Sequence, residues 1–266
     1  MHQITMRSSE EIIRVEAVSI MNILLLRTDA YTEREMYGEV AVFQSISQLL
    51  RKEAGVGVQK QTVDLLYLLL NCPNLMSMFC SSCKEEGTCS EVPTTDTKSY
   101  KGILDGLADC LACRANAAPT TLVLKLQRNA IIVLAFLASS GRGGFEILLG
   151  RRRTNFLFLI LQILASEIDD DLRERTLVIR EALILLNRLA SNPQYSTPVL
   201  RLLTNRRDMA CLTIDIACRL SKYQSDTQMR ESEILDLARL FKKRLFAFLG
   251  DTLTLTLPSH HKHNIC

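Results

Sequence analysis

Two cysteine pairs carry the sharpest chemistry in this chain. Cys80-x-x-Cys83 and Cys110-x-x-Cys113 could offer four thiolates to a tetrahedral zinc ion. The interval between the pairs is longer than that of a zinc ribbon. The second pair also falls in a helical stretch, Leu107-Ala108-Asp109-Cys110-Leu111-Ala112-Cys113, where thiols fit an apolar face as small hydrophobes. Cys89 is either a spare ligand or an exposed thiol. His260, His261 and His263 with Cys266 form a second metal-capable tract, incidental if the tail is frayed. The remaining His is His2, so none stands inside the fold as a base for a Ser or Cys nucleophile. Ser140-Gly141-Arg142-Gly143-Gly144 lacks the Lys and the Ser/Thr of a phosphate loop and reads as a turn. The expectation is a chain with no catalytic residue and no cofactor, not an enzyme and with no small-molecule substrate. Its metal site would exist only if Cys80, Cys83, Cys110 and Cys113 assemble.

Cationic clusters are the other chemical signal. Arg142 with Arg151, Arg152 and Arg153 is the first, Arg206 and Arg207 the second, and Lys242, Lys243 and Arg244 the third. Guanidinium forks suit carboxylates and phosphates, so the arginines are candidate partner contacts on an acidic protein surface or a nucleic-acid backbone. Charge runs also simply solvate a turn. Few aromatic residues flank these clusters, which argues against stacking on single-stranded bases.

The elements that must position these residues are helical. One phrase recurs four times: Glu16–Leu24, Gln61–Leu69, Asn129–Leu137 and Glu181–Leu189. In each, a small residue or Thr precedes an aliphatic position, two adjacent apolar residues follow, and an apolar residue closes. Lys60, Arg128 and Arg180 precede the last three copies. Asn71-Cys72-Pro73, Ser139-Ser140-Gly141 and Ser191-Asn192-Pro193 follow them. Spaced self-similarity of this kind marks a helical solenoid, and solenoids mostly hold partners. The fold expected is all-α, an irregular armadillo/HEAT-like helical-repeat solenoid.

Periodicity and caps predict helices from Ser8 or Ser9 to Arg27, Thr32 to Lys52, Val58 to Asn71, Asn74 to Cys83, Tyr100 to Arg114 and Thr121 to Ser139. Gly143–Leu149, Thr154–Glu167, Leu172–Ser191, a short helix ending near Thr204, Arg207–Lys222 and Met229–Leu249 complete the set. Gly55 and Gly57 break the pattern. The expected organisation is a disordered N-terminus over 1–8, the solenoid over 9–250 with a polar insertion at 84–99, and a flexible tail over 251–266. Thr252 to Leu257 alternates with period 2, which leaves an edge strand or a frayed end.

Composition agrees with this class. The 266 residues are 47% hydrophobic and 6% aromatic, with no Trp, and only 11 Gly and 6 Pro. The net charge of +3 gives no global case for nucleic acid. Nine cysteines, mostly in apolar runs, and no apolar leader point to buried thiols in a reducing compartment. No segment is expected to span a membrane, since a span needs about 20 apolar residues.

Several segments resemble a known family. Glu16-Ala17-Val18-Ser19-Ile20-Met21-Asn22, Ala30-Tyr31-Thr32-Glu33-Arg34-Glu35, Leu49-Leu50-Arg51-Lys52-Glu53-Ala54-Gly55, Leu65–Pro73 and Met78–Cys83 resemble the C-terminal region of the plant ATR-interacting protein (ATRIP) family. The resemblance covers about Glu10 to Gly250. It implies a helical-repeat scaffold that docks on an ATR-like kinase through that kinase's helical-repeat region, supports the DNA-damage checkpoint and DNA repair, and works in the nucleus. An indirect link to RPA-coated single-stranded DNA would run through N-terminal elements, and the chain is expected to be a C-terminal portion or a shortened product. Two other readings stay open: a generic HEAT/armadillo adaptor with an unrelated partner, and a zinc-stabilised nucleic-acid-binding module.

Overall fold

The computed structural model describes residues 2–27, 30–38, 40–82, 95–114, 118–150, 155–166, 171–221 and 230–256. Among them are thirteen α-helices and no strand. They are α1 His2–Leu25, α2 Tyr31–Tyr37, α3 Val40–Leu49, α4 Val56–Leu70, α5 Pro73–Ser82, α6 Thr95–Ala112 and α7 Thr120–Ser139. Then come α8 Arg142–Gly150, α9 Phe156–Ala165, α10 Leu172–Ser191, α11 Ser196–Thr204, α12 Arg207–Leu220 and α13 Arg230–Thr256. The chain divides into two compact units, Met1–Leu185 and Leu186–Cys266, where the sequence suggested one array.

In the first unit the phrase helices lie side by side. α4 packs against α1 on one side and α7 on the other. α7 is tied to α10 by Thr121 Oγ1 donating to Asp171 at 2.8 Å and by an Arg128–Glu174 ion pair at 3.0 Å. A second row runs α3, α6, α9, each packed on the next. The phrase explains the row. In its second copy Thr62, Val63, Leu65, Leu66 and Leu69 are buried, and the equivalent five residues of the third copy, Ala130, Ile131, Val133, Leu134 and Leu137, are buried too. Fully burying one such aliphatic side chain contributes about 1.5–3 kcal/mol. Phe43 of α3, Phe79 of α5 and Tyr100 of α6 form an aromatic cluster with centroids 5.2–6.2 Å apart.

Helix boundaries follow local chemistry. Pro73 opens α5 at its first turn, where its missing N–H has no cost, and α5 leaves α4 at 108°. The helix expected over Thr32–Lys52 is two, α2 and α3. They part at Gly38, whose missing Cβ makes room for the Leu75 side chain of α5. Gly55 has φ +92° at the head of α4, a left-handed conformation that only glycine adopts cheaply. The Glu11 carboxylate lies against Gly55 and Gly57, putting negative charge at the positive end of α4. Gly57 therefore sits inside α4 and does not break it. α9 ends under Arg175, which is buried and donates to the carbonyls of Ile163 (2.7 Å), Leu164 (3.3 Å) and Ser166 (2.6 Å).

Three terminal expectations are corrected. α1 begins at His2, not at Ser8 or Ser9. α6 begins at Thr95, inside the stretch read as polar insertion, while 83–94 lie outside the described residues. α13 runs on to Thr256 through the alternating Thr and Leu residues, because extending an existing helix avoids the nucleation cost. Residues 257–266 lie outside the described residues.

Among the described residues one helix, α7, is long and apolar enough to cross a membrane by length and composition. It carries Lys125, Gln127 and Arg128. Gln127 is buried and donates to the carbonyls of Leu111 and Cys113 at 3.1 and 2.9 Å, as in a core helix.

In the second unit α11, α12 and α13 pack together. Asn187, in the last turns of α10, donates to the Leu237 carbonyl of α13 at 2.9 Å, and Arg244 donates back to Asn187 O and Oδ1 at 3.1 and 2.8 Å. Thr213 is buried with its hydroxyl 2.7 Å from the Met209 carbonyl.

Candidate partner-docking groove

Three of the phrase helices turn some of their positions to a groove. Ser19, Asn22 and Ile23 of the first copy, Gln61, Val63, Asp64, Tyr67 and Leu68 of the second, and Asn129 and Ile132 of the third line a cavity of about 510 Å³ across α1, α4 and α7. Ile23, Leu26, Leu68 and Ile132 supply aliphatic wall, and Tyr67 packs edge-on against Phe136 with centroids 5.5 Å apart. Ser19, Asn22, Gln61, Asp64 and Asn129 add polar groups.

These polar groups form a ladder between helices. Asn22 Nδ2 donates to the Gln61 backbone carbonyl at 2.9 Å and to its side-chain oxygen at 3.1 Å. Asn129 Nδ2 donates to Asp64 at 2.5 Å, and Lys60 pairs with Asp64 at 2.8 Å. Asn22 Oδ1 is buried at the groove without a donor. The ladder holds the three helices in register while leaving the groove apolar between its rungs. Such a surface selects an apolar anchor and a few hydrogen-bond donors. Its lining carries no His, Cys or Lys to act as nucleophile or base.

A second cavity in the first unit, about 710 Å³, is lined by charged groups that include Glu11, Lys52, Asp109 and Arg114, with Cys113 beside them. Burial pushes the Asp109 carboxyl above its ordinary range, helped by Asp105 and Glu53 and opposed by Lys52. Burial also raises the Cys113 thiol, which keeps it protonated and a poor nucleophile.

The zinc candidates are scattered by role. Cys110 is fully buried on the apolar face of α6, and burial pushes its thiol well up, with Cys113 and Asp109 adding to the effect. A zinc ligand must be a thiolate, which this environment opposes. Cys80 is buried on α5 with Sγ 3.8 Å from Met76 Sδ and 3.6 Å from Ser140 Oγ. Among the described residues no three His, Cys, Asp or Glu gather as a metal-binding group. Cys83, Cys89, His260, His261, His263 and Cys266 lie outside the described residues.

The arginine candidates also part ways. Arg142 is exposed and pairs with Glu146 along α8 at 2.6 Å. Arg151, Arg152 and Arg153 lie outside the described residues. Arg206 and Arg207 are exposed at the head of α12 in the second unit. Arg244 of the third cluster is half-buried and donates to Asn187. Sequence reasoning missed the groove. Its signal was present in the phrase: Asn22 and Asn187 share the seventh position, and each donates to a backbone carbonyl of a neighbouring helix.

Two family models match the chain: the SUV2 middle domain over residues 3–113 and the SUV2 C-terminal domain over residues 123–254. Protein SENSITIVE TO UV 2 of Arabidopsis thaliana is 45% identical over 278 aligned residues, covering 94% of this chain and 42% of that protein. The chain thus spans less than half the length of this curated relative. No solved structure matches. These matches overturn the resemblance to the ATRIP family, because both family models and the relative carry the SUV2 description. The chain belongs to the SUV2 family.

Proposed function

We propose that this chain is a non-catalytic adaptor of the ultraviolet and DNA-damage response. The relative's name ties that protein to ultraviolet sensitivity, and the damage response is the setting in which such a role makes sense here. The mechanism is docking: two stacked rows of helices form a HEAT-like solenoid in the first unit, and the α1–α4–α7 groove takes an apolar helix of the partner. The partner in this reading is a large ATR-like checkpoint kinase, engaged through its own helical repeats in the nucleus. The observation that carries the reading is the groove itself, apolar walls held open by an amide ladder. Helix-in-groove recognition uses such surfaces.

The test is a pull-down of the kinase's N-terminal repeats by the purified chain and by Ile132→Glu and Leu26→Glu, both groove-lining and the second 66% exposed. Binding by the parent chain and loss by both variants, with helix content unchanged, supports the reading. Equal binding by all three removes the groove from it, and no binding at about 10 µM, weaker than a specific docking partner needs, removes the kinase.

A further inference from the structure

The second unit holds the part of the third cationic cluster that Arg244 does not absorb. Along α13, Arg239, Lys242, Lys243 and Phe246 stand at i, i+3, i+4 and i+7, so they share one helix face. With Ser221, the residue that ends α12, they line a cavity of about 390 Å³. Arg239, Lys243 and Phe246 are exposed, and Lys242 is half-buried. The lining holds three cations and no acid. The two cavities of the first unit described above differ, since Asp64 lines one, and Glu11 and Asp109 line the other.

Part of this charge is already answered. Lys242 Nζ lies 3.4 Å from Ser221 Oγ, at the carbonyl end of α12, and 5.9 Å from the centroid of the Phe246 ring. A helix C-terminus carries about half a negative charge. Arg239 reaches Asp236 at 3.8 Å, a loose pair with both side chains mostly exposed, and such pairs contribute little. Among the described residues this leaves roughly two positive charges uncompensated on the face.

The patch is also compact. Arg239 and Lys243 are about 6 Å apart along the helix axis. The exposed pair Arg206 and Arg207 heads α12, about 20 Å from Ser221 along that helix. A nucleic-acid strand asks for a stripe of cations with successive aromatic platforms; here one knot of charge meets one ring. A phosphomonoester gathers a charge of about −1.5 to −2 and three acceptor oxygens on a single centre, which matches the charge that is left. Lys243 and Phe246 are only about 4.5 Å apart along the axis, so the phosphate must stand close to its own main chain. A serine or threonine side chain is short enough for that.

We propose that this face of α13 is a phosphopeptide-binding site. The phosphate of a phosphorylated serine or threonine in a partner protein sits on Arg239, Lys242 and Lys243, and an apolar residue beside it packs on Phe246. The site lies in the second unit and does not rest on the groove or on the kinase.

Fluorescence anisotropy with the 266-residue chain tests it. The probe is a labelled, degenerate nonapeptide mixture with phosphoserine fixed at its centre. The parent is expected to bind it at least about tenfold more tightly than the same mixture with serine, because hydrogen bonds to a charged acceptor are the strong ones. Arg239→Gln and Lys243→Gln should each remove about threefold of that preference, and the double variant should abolish it, with helix content by circular dichroism unchanged. Phe246→Ser should weaken both mixtures alike, since the ring meets the neighbouring residue and not the phosphate. Equal binding of the two mixtures by the parent, or a preference that survives the double variant, would overturn the proposal. A short oligothymidylate that binds more tightly than the phosphoserine mixture would overturn it in favour of a nucleic-acid strand.

Discussion

At the residue scale, the strongest single contributions come from polar groups placed where helices end. Arg175 is buried and closes the C-terminus of α9 with three carbonyl contacts. Replacing it with Met should cost about 2–4 kcal/mol, read as a lower urea midpoint, since three buried acceptors lose their donor. Arg175→Lys should recover only part of this, because an ammonium cannot fork across three oxygens. Asp171 begins α10, accepting from the Glu174 backbone N–H at 3.1 Å and from Thr121. Those hydrogen bonds lower its carboxyl below the ordinary value. Its contribution is therefore present above the ordinary carboxylate range and is lost as pH falls through the lowered value. Asp171→Ala should lower the melting temperature at neutral pH, and the gap to the parent should close in acid. Asp109 has the opposite sign. Burial raises its carboxyl, so its stabilisation is complete at low pH and is lost as pH rises through the raised value. Asp109→Asn should raise the melting temperature at neutral pH and leave it unchanged at about pH 3, where both forms are uncharged. The roles of Arg175 and Asp109 were not legible in the sequence, because each depends on which element lies opposite. Arg244 shows the limit: a run of three cations reads as a solvated face, and only the packed structure sets one of them, half-buried, against Asn187.

At the element scale the sequence was far more informative. α10 matches its expected bounds of Leu172–Ser191, and α7 and α12 begin within a residue of expectation, because period, Gly and Pro are local signals. The failures were places where packing overrode local preference. Gly38 splits a continuous helical pattern to admit Leu75. Gly57, read as a breaker, is tolerated in α4 beside Glu11 and Val15. The period-2 Thr and Leu residues near the end join α13. Gly55 sharpens the point, since its positive φ strains any residue that carries a Cβ, and such a Cβ would also displace the Glu11 carboxylate. Gly55→Ala should cost about 1–3 kcal/mol through backbone strain and displacement of Glu11. Glu11→Gln should cost less, because it removes only the charge at the head of α4, worth about 0.3–1 kcal/mol. Equal losses from the two, measured by chemical denaturation, would mean that charge and not backbone conformation sets the effect.

At the scale of the whole molecule, the recurring phrase carries both fold and candidate function. Its second and third copies bury their apolar positions in the α4–α7 packing, and residues of the first three copies line the groove. The sequence exposed the repeat but not the groove, because the ladder of Asn22, Gln61, Asp64 and Asn129 forms only when three distant segments lie side by side. The two CxxC pairs dominated the sequence as chemistry, yet Cys110 is set into the core with its thiol pushed up. The family matches add a protein named for ultraviolet sensitivity. The central claim is that the groove is where a checkpoint kinase docks. The most direct measurement is the affinity of the purified chain for the kinase's N-terminal helical repeats, compared with Ile132→Glu and Leu26→Glu of unchanged melting temperature. The expectation is a micromolar or tighter complex with the parent and at least about a tenfold loss, or 1.4 kcal/mol, with each variant. Undiminished affinity in both variants, or no complex with the parent, would contradict it.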